Sequence, residues 1–235
     1  MSEQVLLPKS LGRVYVVDPR DKNFPMQAVL PKSTGGLTYR YWWANGWWGD
    51  QKATPRCVAY SWMHWIEDGP ITHSKTRKAN TGPLYDPFYI YTEAQKIDCF
   101  PGENYEGTTV RAGAKILMKL GLIGGYRWAW EANTVVQALL TTGPVVVGTW
   151  WYRDMFFPEK DAKTGKMIIH ASGGKVGGHA YLLNGVNIEK GLVRIKNSWG
   201  REDWGDRGFA WLSLTDLDLL IKDDGEACLA TEIGT

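Results

Sequence analysis

Residues 196–212 read KNSWGREDWGDRGFAWL. Asn197 closes a run of branched and aromatic residues, GLVRIKNSW (191–199), and a second such run, GFAWLSL (208–214), follows a turn built from glycines and charges. Short runs of this composition, separated by turn signals, predict antiparallel strands. One strand upstream lies GGKVGGHAYLLNGV (173–186), with His179 at the strand entry and glycines ahead of it that let another backbone approach. Adjacent antiparallel strands bring Asn197 beside His179, where its amide accepts an imidazole N–H. Trp199, two residues on, covers that bond from water.

A histidine held in this way is half of a nucleophilic site. The other half comes from WWGDQKATPRCVAYSW (47–62), in which Cys57 follows a proline-containing loop and opens an apolar run. The run CVAYSWMHWIEDG (57–69) predicts a buried helix that stops at Gly69 and Pro70. A helix N-terminus favours thiolate. Gln51, upstream on the loop, has an amide N–H that can turn toward the sulfur.

The rest of the chain sets the frame. TTVRAGAKILMKLG (108–121) and NTVVQALLTTGP (133–144) predict two more helices, with Thr108 or Thr109 and Asn133 or Thr134 as caps. Residues 70–107 read as a loop-rich middle. Residues 1–45 read as an N-terminal extension, extended and broken by Pro8, Pro19, Pro25 and Pro31. A helical part over about 50–142, followed by a strand-rich part over about 143–235, argues an α+β domain of residues 46–235 with a cleft where the parts meet.

Composition excludes several classes. Lys plus Arg (27) nearly balances Asp plus Glu (25), so neither nucleic acid nor an anionic membrane is an expected partner. No apolar run approaches a bilayer span. The N-terminus lacks the pattern of a secretory signal, and three cysteines are too few and sparse for a disulfide framework. The expected location is a reducing one: cytoplasm, virion or host cytoplasm. No histidines and acids have metal-ligand spacing, so no metal and no cofactor are expected. The 13 tryptophans read first as core and cleft bracing, and second as a stacking platform for sugar or peptide.

Taken together, the ordered set Gln51, Cys57, His179, Asn197 resembles the papain-like (C1-type) cysteine peptidases, in particular bacterial or viral members without a propeptide. The motifs are Q-x5-C-x-A-Y-S at 51–61, HA at 179–180, and NSWG with WGDRGF at 197–209. GTTVRAGAKILMKLGL (107–122) is similar to the helix that follows the substrate-binding glycine loop, which makes Gly107 a substrate contact by resemblance. Gly178 and Trp199 join it as substrate-site candidates. The resemblance implies a two-lobed fold, a helical lobe beside an antiparallel β-barrel-like lobe, with the cleft between. It implies Cys57 as nucleophile, His179 as base and then acid, Asn197 as orienter, and Gln51 with the Cys57 N–H as oxyanion donors. A thiolate–imidazolium resting pair and a thioester acyl-enzyme formed from a peptide or protein substrate follow.

The chain departs from the family at ATPRCV (53–58), where a second cysteine, Gly and Ser normally precede the nucleophile; Pro55 stiffens the loop in place of that disulfide. It also carries one extra residue between the two Trp-Gly pairs at 199–205. Too few residues precede Gln51 for a long helical inhibitory propeptide, so the expectation is that either activity is harmless where the protein works or control comes from a partner, assembly or substrate access. Two other readings keep the fold: an inert module whose Trp-lined cleft only grips a partner, and a Cys–His hydrolase of cell-wall peptide or isopeptide bonds. Cys99 and Cys228 read as buried free thiols, with a disulfide between them as the alternative, His64 as a core or helix-face residue, His73 as surface loop, and His170 as a candidate for the cleft rim.

Overall fold

The computed structural model describes residues 10–42, 48–69, 86–100 and 105–231. Five α-helices appear among them: α1 Cys57–Asp68, α2 Pro87–Ile97, α3 Val110–Lys119, α4 Ala132–Thr141 and α5 Leu214–Lys222. The strands are β1 Tyr39–Tyr41, β2 Gly125–Ala129, β3 Val145–Tyr152, β4 Glu159–Lys160, β5 Met167–Ile169, β6 Lys175–Asn187, β7 Leu192–Lys196, β8 Phe209–Ser213 and β9 Glu226–Thr231. They form one sheet in the order β2-β9-β3-β6-β7-β8-β5-β4, with β1 paired to β6. All pairings are antiparallel except β5 with β8.

The centre of this sheet is buried on both faces, and the period-2 geometry of a strand sorts its side chains between two cores. Val146, Ala180, Leu182, Cys228 and Ala230 pack with α1, α2 and α3. Val145, Val147, Tyr181, Leu183, Ala227 and Leu229 pack on the other side with α4, α5 and a cluster of tryptophans. Near-continuous apolar runs such as VVVGTWW are the sequence consequence of that double burial.

Helix α1 ends at Gly69, as its sequence predicts, and Thr109 caps α3 by accepting from the Ala112 N–H. Helix α4 begins right after Glu131, earlier than either predicted residue, with no side-chain capping bond from Glu131. The 70–107 segment is not loop throughout: α2 lies in it, opened by Asp86, whose side chain accepts from the Phe88 N–H, with a proline in its first turn. Its partly polar sequence buries only Ile90, Tyr91 and Ala94, a narrow stripe that composition hides. Large aromatics do fill the cores, with Trp62, Trp65, Trp128, Trp151 and Trp199 among the largest fully buried side chains. The Trp62 and Trp65 indoles donate to the carbonyls of Val110 and Pro144, both at 3.0 Å, which ties α1 to α3 and to the start of β3. Among the described residues, no helix is long and apolar enough to cross a membrane.

Candidate active site

The nucleophile candidate sits at the first residue of α1, a helix that continues straight into the apolar core. The Cys57 sulfur accepts from the Ala180 N–H at 3.4 Å, so the residue after His179 touches the sulfur directly. His179 lies on β6, opposite Thr149 of β3. Its Nε2 is 2.8 Å from Asn197 Oδ1, just past the end of β7. The same oxygen accepts from the Ser198 N–H at 2.8 Å. An oxygen already accepting a backbone donor accepts from the ring as well, so Nε2 carries the proton. That tautomer leaves Nδ1 as a lone pair, and Nδ1 is buried with no hydrogen-bond partner among the described residues.

Two indoles enclose the imidazole. Trp199 lies 4.8 Å from it at 31°, and Trp151 meets it at the same distance at 75°. Trp199 was legible in the sequence as the cover of the His179–Asn197 bond. Trp151 was legible only as a strand residue, because its approach depends on the β3–β6 register.

Gln51 reaches the site through backbone pairing. Its N–H donates to Ser198 O at 2.8 Å, beside the bridge between Asp50 and Trp199. The side-chain Oε1 accepts from Ser198 Oγ at 2.6 Å, which turns Nε2 the other way, toward Thr54 O at 2.7 Å and Ser10 O at 3.0 Å. Ser198 therefore touches both Gln51 and Asn197, a linking role that the NSWG motif gave no reason to assign.

Comparison with known proteins follows this geometry. No family model matches the chain. A cathepsin B-like cysteine proteinase 6 of Caenorhabditis elegans is 27% identical over 164 residues, covering 63% of this chain and 41% of that protein, so the chain spans well under half the length of this relative. Xylellain, a cysteine protease from Xylella fastidiosa, superposes with a TM-score of 0.67 over 97% of this chain and 98% of its own, at 18% identity. The digestive procathepsin L2 proteinase of Tenebrio molitor larval midgut superposes with a TM-score of 0.65, covering 98% and 81% of the two chains, at 17% identity. The fold is papain-like.

In this papain-like chain the cleft is filled by its own residues 10–14, a cover that the expectation of control from elsewhere did not include. The Gly12 and Arg13 N–H groups donate to Gly178 O at 3.0 and 2.9 Å. On the opposite wall Thr108 N–H donates to Gly12 O at 3.0 Å, and Val14 N–H donates to Thr108 O at 2.9 Å. Gly178 thus contacts backbone in the cleft. At the other wall Thr108 makes the hydrogen bonds, while Gly107, at φ +101, packs against Gly12 O.

The cover leaves Cys57 and His179 with no exposed surface. Burial pushes the Cys57 thiol up to about 12, with the Ala180, Val58 and Gly12 amides pulling the other way. Burial pushes His179 down to about 4, opposed by its bond to Asn197. In the covered form burial favours the neutral state of both groups.

The remaining candidates lie elsewhere. His64 is buried in α1 and accepts from the Gly49 N–H at 3.2 Å. His170 is exposed and faces Asp216 at 3.9 Å. His73 lies outside the described residues. All three cysteines are free; Cys228 is buried, but Cys99 is exposed rather than buried, just past the C-terminus of α2. Among the described residues no three His, Cys, Asp or Glu side chains are grouped to hold a metal.

Proposed function

We propose that the chain is a cysteine peptidase that hydrolyses peptide bonds in a peptide or protein substrate. The observation that carries this reading is the His179 tautomer: Asn197 fixes the proton on Nε2, leaving the Nδ1 lone pair free as a base, with the residue next to it in contact with the Cys57 sulfur. Nδ1 takes the thiol proton as sulfur attacks the carbonyl carbon, and the carbonyl π pair moves onto oxygen. Gln51 Nε2 and the Cys57 N–H stabilise that oxyanion. On collapse the C–N bond breaks and the imidazolium gives its proton to the leaving amine, which leaves a thioester. Water, deprotonated by the same nitrogen, then releases the acid and restores the thiol.

Trp199 and Trp151 pack on the imidazole and exclude water from the His179–Asn197 bond. Gly178 O and the Thr108 backbone, which now bind residues 12–14, are the groups that would hold a substrate backbone.

The test is intact-mass spectrometry after brief treatment with an epoxysuccinyl-type thiol trap at pH 5 to 6, with Cys57→Ala alongside, followed by hydrolysis of unfolded protein. One adduct, lost in the variant, together with hydrolysis is the expected result. A folded protein that takes no adduct and cleaves no peptide, even with residues 10–14 displaced, overturns the reading in favour of an inert binding module.

A further inference from the structure

We propose that Arg56, Phe88 and Tyr91 are positioning residues, a noncovalent clamp that fastens the substrate-binding wall at residues 105–108 to the loop carrying Cys57. The inference rests on the peptidase reading and adds to it the residues that set this wall against the sulfur. Arg56 precedes the nucleophile and stands at the N-cap of α1, where its side chain makes no capping bond. Its guanidinium reaches α2 instead, with the central carbon 4.3 Å from the centre of the Phe88 ring and 5.9 Å from that of Tyr91. Arg56 Nε is buried with no hydrogen-bond partner among the described residues. Attraction of the cation to the two rings takes the place of a hydrogen bond there.

The other end of the clamp is the wall itself. The Gly107 N–H donates to the Tyr91 hydroxyl at 3.0 Å. One turn along α2, Gln95 Nε2 donates to Tyr105 O at 3.2 Å and to Gly107 O at 3.1 Å. Asp98, just past the helix, accepts from the Tyr105 hydroxyl at 2.6 Å and from Thr108 Oγ1 at 2.7 Å. Residues 105–108 lie outside every helix and strand, and Gly107, at φ +101, has a backbone suited to glycine. Their position is therefore set from outside, by α2. Ile90 and Ala94 share a core with α1 and hold the two helices together, while Arg56 acts at the end of α1 that carries the sulfur.

The nucleophile loop has reason to need this contact. The stretch ATPRCV lacks the second cysteine by which the resembled family ties its loop, and all three cysteines of this chain are free. Pro55 restricts the backbone of its own loop. The Arg56 contact joins that loop to the wall, and it does so in reducing and oxidising surroundings alike.

Two substitutions cut the clamp at different links and leave Cys57, His179 and the charge of Arg56 in place. Phe88→Leu removes the ring beside the guanidinium at a half-exposed site, and Tyr91→Phe keeps its ring but removes the bond to Gly107. Hydrogen exchange at the Gly107 amide reads the wall directly. Phe88→Leu changes no atom bonded to Gly107, yet it should speed that exchange about 2- to 30-fold with an unchanged circular dichroism spectrum. Phe88→Trp should return it to the parent rate or below. Unchanged exchange in a folded Phe88→Leu variant refutes the clamp.

The functional test uses two thiol traps at Cys57: iodoacetamide, and a peptidyl epoxysuccinate that must bind the wall. Both need residues 10–14 displaced, so the ratio of their rates cancels that step. Each variant should lower the ratio of peptidyl to iodoacetamide rate about 2- to 30-fold. The double variant should lose less than the product of the single losses, because both links lie in one line of contacts. A ratio unchanged in both variants, or losses that multiply, would mean that these residues serve the fold alone, and the clamp is refuted. A parent that labels with both traps yet hydrolyses no peptide sinks the peptidase reading instead, and the clamp is still judged by the ratio. If Cys57 takes neither trap, exchange at Gly107 alone decides.

Discussion

Lys196 with Asp68 and Arg13 with Glu226 are both buried ion pairs, at 1% and 1% side-chain exposure for the first and 1% and 9% for the second. Their surroundings differ. Asp68 ends α1 and Lys196 ends β7; Asp68 Oδ1 accepts from Lys196 Nζ and Oδ2 accepts from Asn184 Nδ2, both at 2.8 Å, while Asn184 Oδ1 accepts from Arg194 Nε at 3.0 Å. Burial raises Asp68 and lowers Lys196, and each partner pulls the other back. Every member lies on a helix or strand of the body, so the pair opens only when the body unfolds. It also fixes the residue before Asn197. Arg13 lies on a segment with no helix or strand of its own, held by backbone bonds to Gly178 and Thr108, so the same kind of interaction becomes a latch.

The first way to break this comparison is to remove one cation from each pair. Lys196→Met strands Asp68 in the core and is expected to cost about 3–5 kcal/mol of global stability, read as a lower urea midpoint at constant slope. Replacing both partners, Lys196→Met with Asp68→Leu, should recover much of that loss. Arg13→Ala should cost less globally, because Glu226 regains water as the segment lifts away. An Arg13→Ala midpoint as low as that of Lys196→Met would show that residues 10–14 belong to the cooperative body, and the contrast would fail.

The second test uses proton linkage at the covered site. Cys57 is raised from 9.0 to about 12 in the covered form, so its contribution to the cover is complete below about pH 9 and drains as pH rises toward 12. His179 is lowered from 6.5 to about 4, so its contribution is complete above about pH 6.5 and is lost as pH falls through 4. The cover is most secure between those limits. Hydrogen exchange at the Gly12 and Arg13 amides, corrected for intrinsic rates, should therefore be slowest there and rise on both sides. A profile flat from pH 4 to 10 would mean that the cover does not desolvate the pair.

These contrasts mark where sequence reading succeeds and where it stops. The meeting of Cys57, His179 and Asn197 was legible because each lies in a short local motif: a cysteine at a helix start, a histidine on one strand, an amide at the end of the next; Gln51 was legible only as a loop neighbour, since its Nε2 turns toward Thr54 O and Ser10 O. The α+β class was legible from the change near Pro144 from helical patterns to short runs of branched and aromatic residues, although β2 lies before that point and α5 after it. The covering segment was not, because LGRV has the composition of any extended segment. Its meaning comes from contacts with residues far along the chain, to Gly178 on one wall and to Glu226 on β9. Helix α2 was hidden by its partly polar face, although Asp86 followed by Pro87 is a start signal that could have found it. Trp151 and Ser198 required strand register, which a sequence read alone does not supply.

The smallest expected effect belongs to Ser198, which links the two halves of the site. Its Oγ donates to Gln51 Oε1, and its N–H donates to Asn197 Oδ1. Ser198→Ala removes only the first of these bonds, and Thr54 O still holds Gln51 Nε2 at 2.7 Å. Losing one neutral hydrogen bond is worth about 0.5–1.5 kcal/mol, or roughly 2- to 12-fold in kcat/KM. Gln51→Ala removes the oxyanion donor itself and should cost about 10²–10³ in rate. If Ser198 acts only by turning the Gln51 amide, the double variant should be no slower than Gln51→Ala alone, and Ser198→Thr should restore the parent rate. Thiol labelling should be unchanged in Ser198→Ala, which leaves both the His179–Asn197 bond and the Gln51–Ser10 bond in place. Additive losses in kcat/KM, or slower labelling in Ser198→Ala, would instead mean that Ser198 acts through Asn197 and the imidazole, on the base rather than the oxyanion.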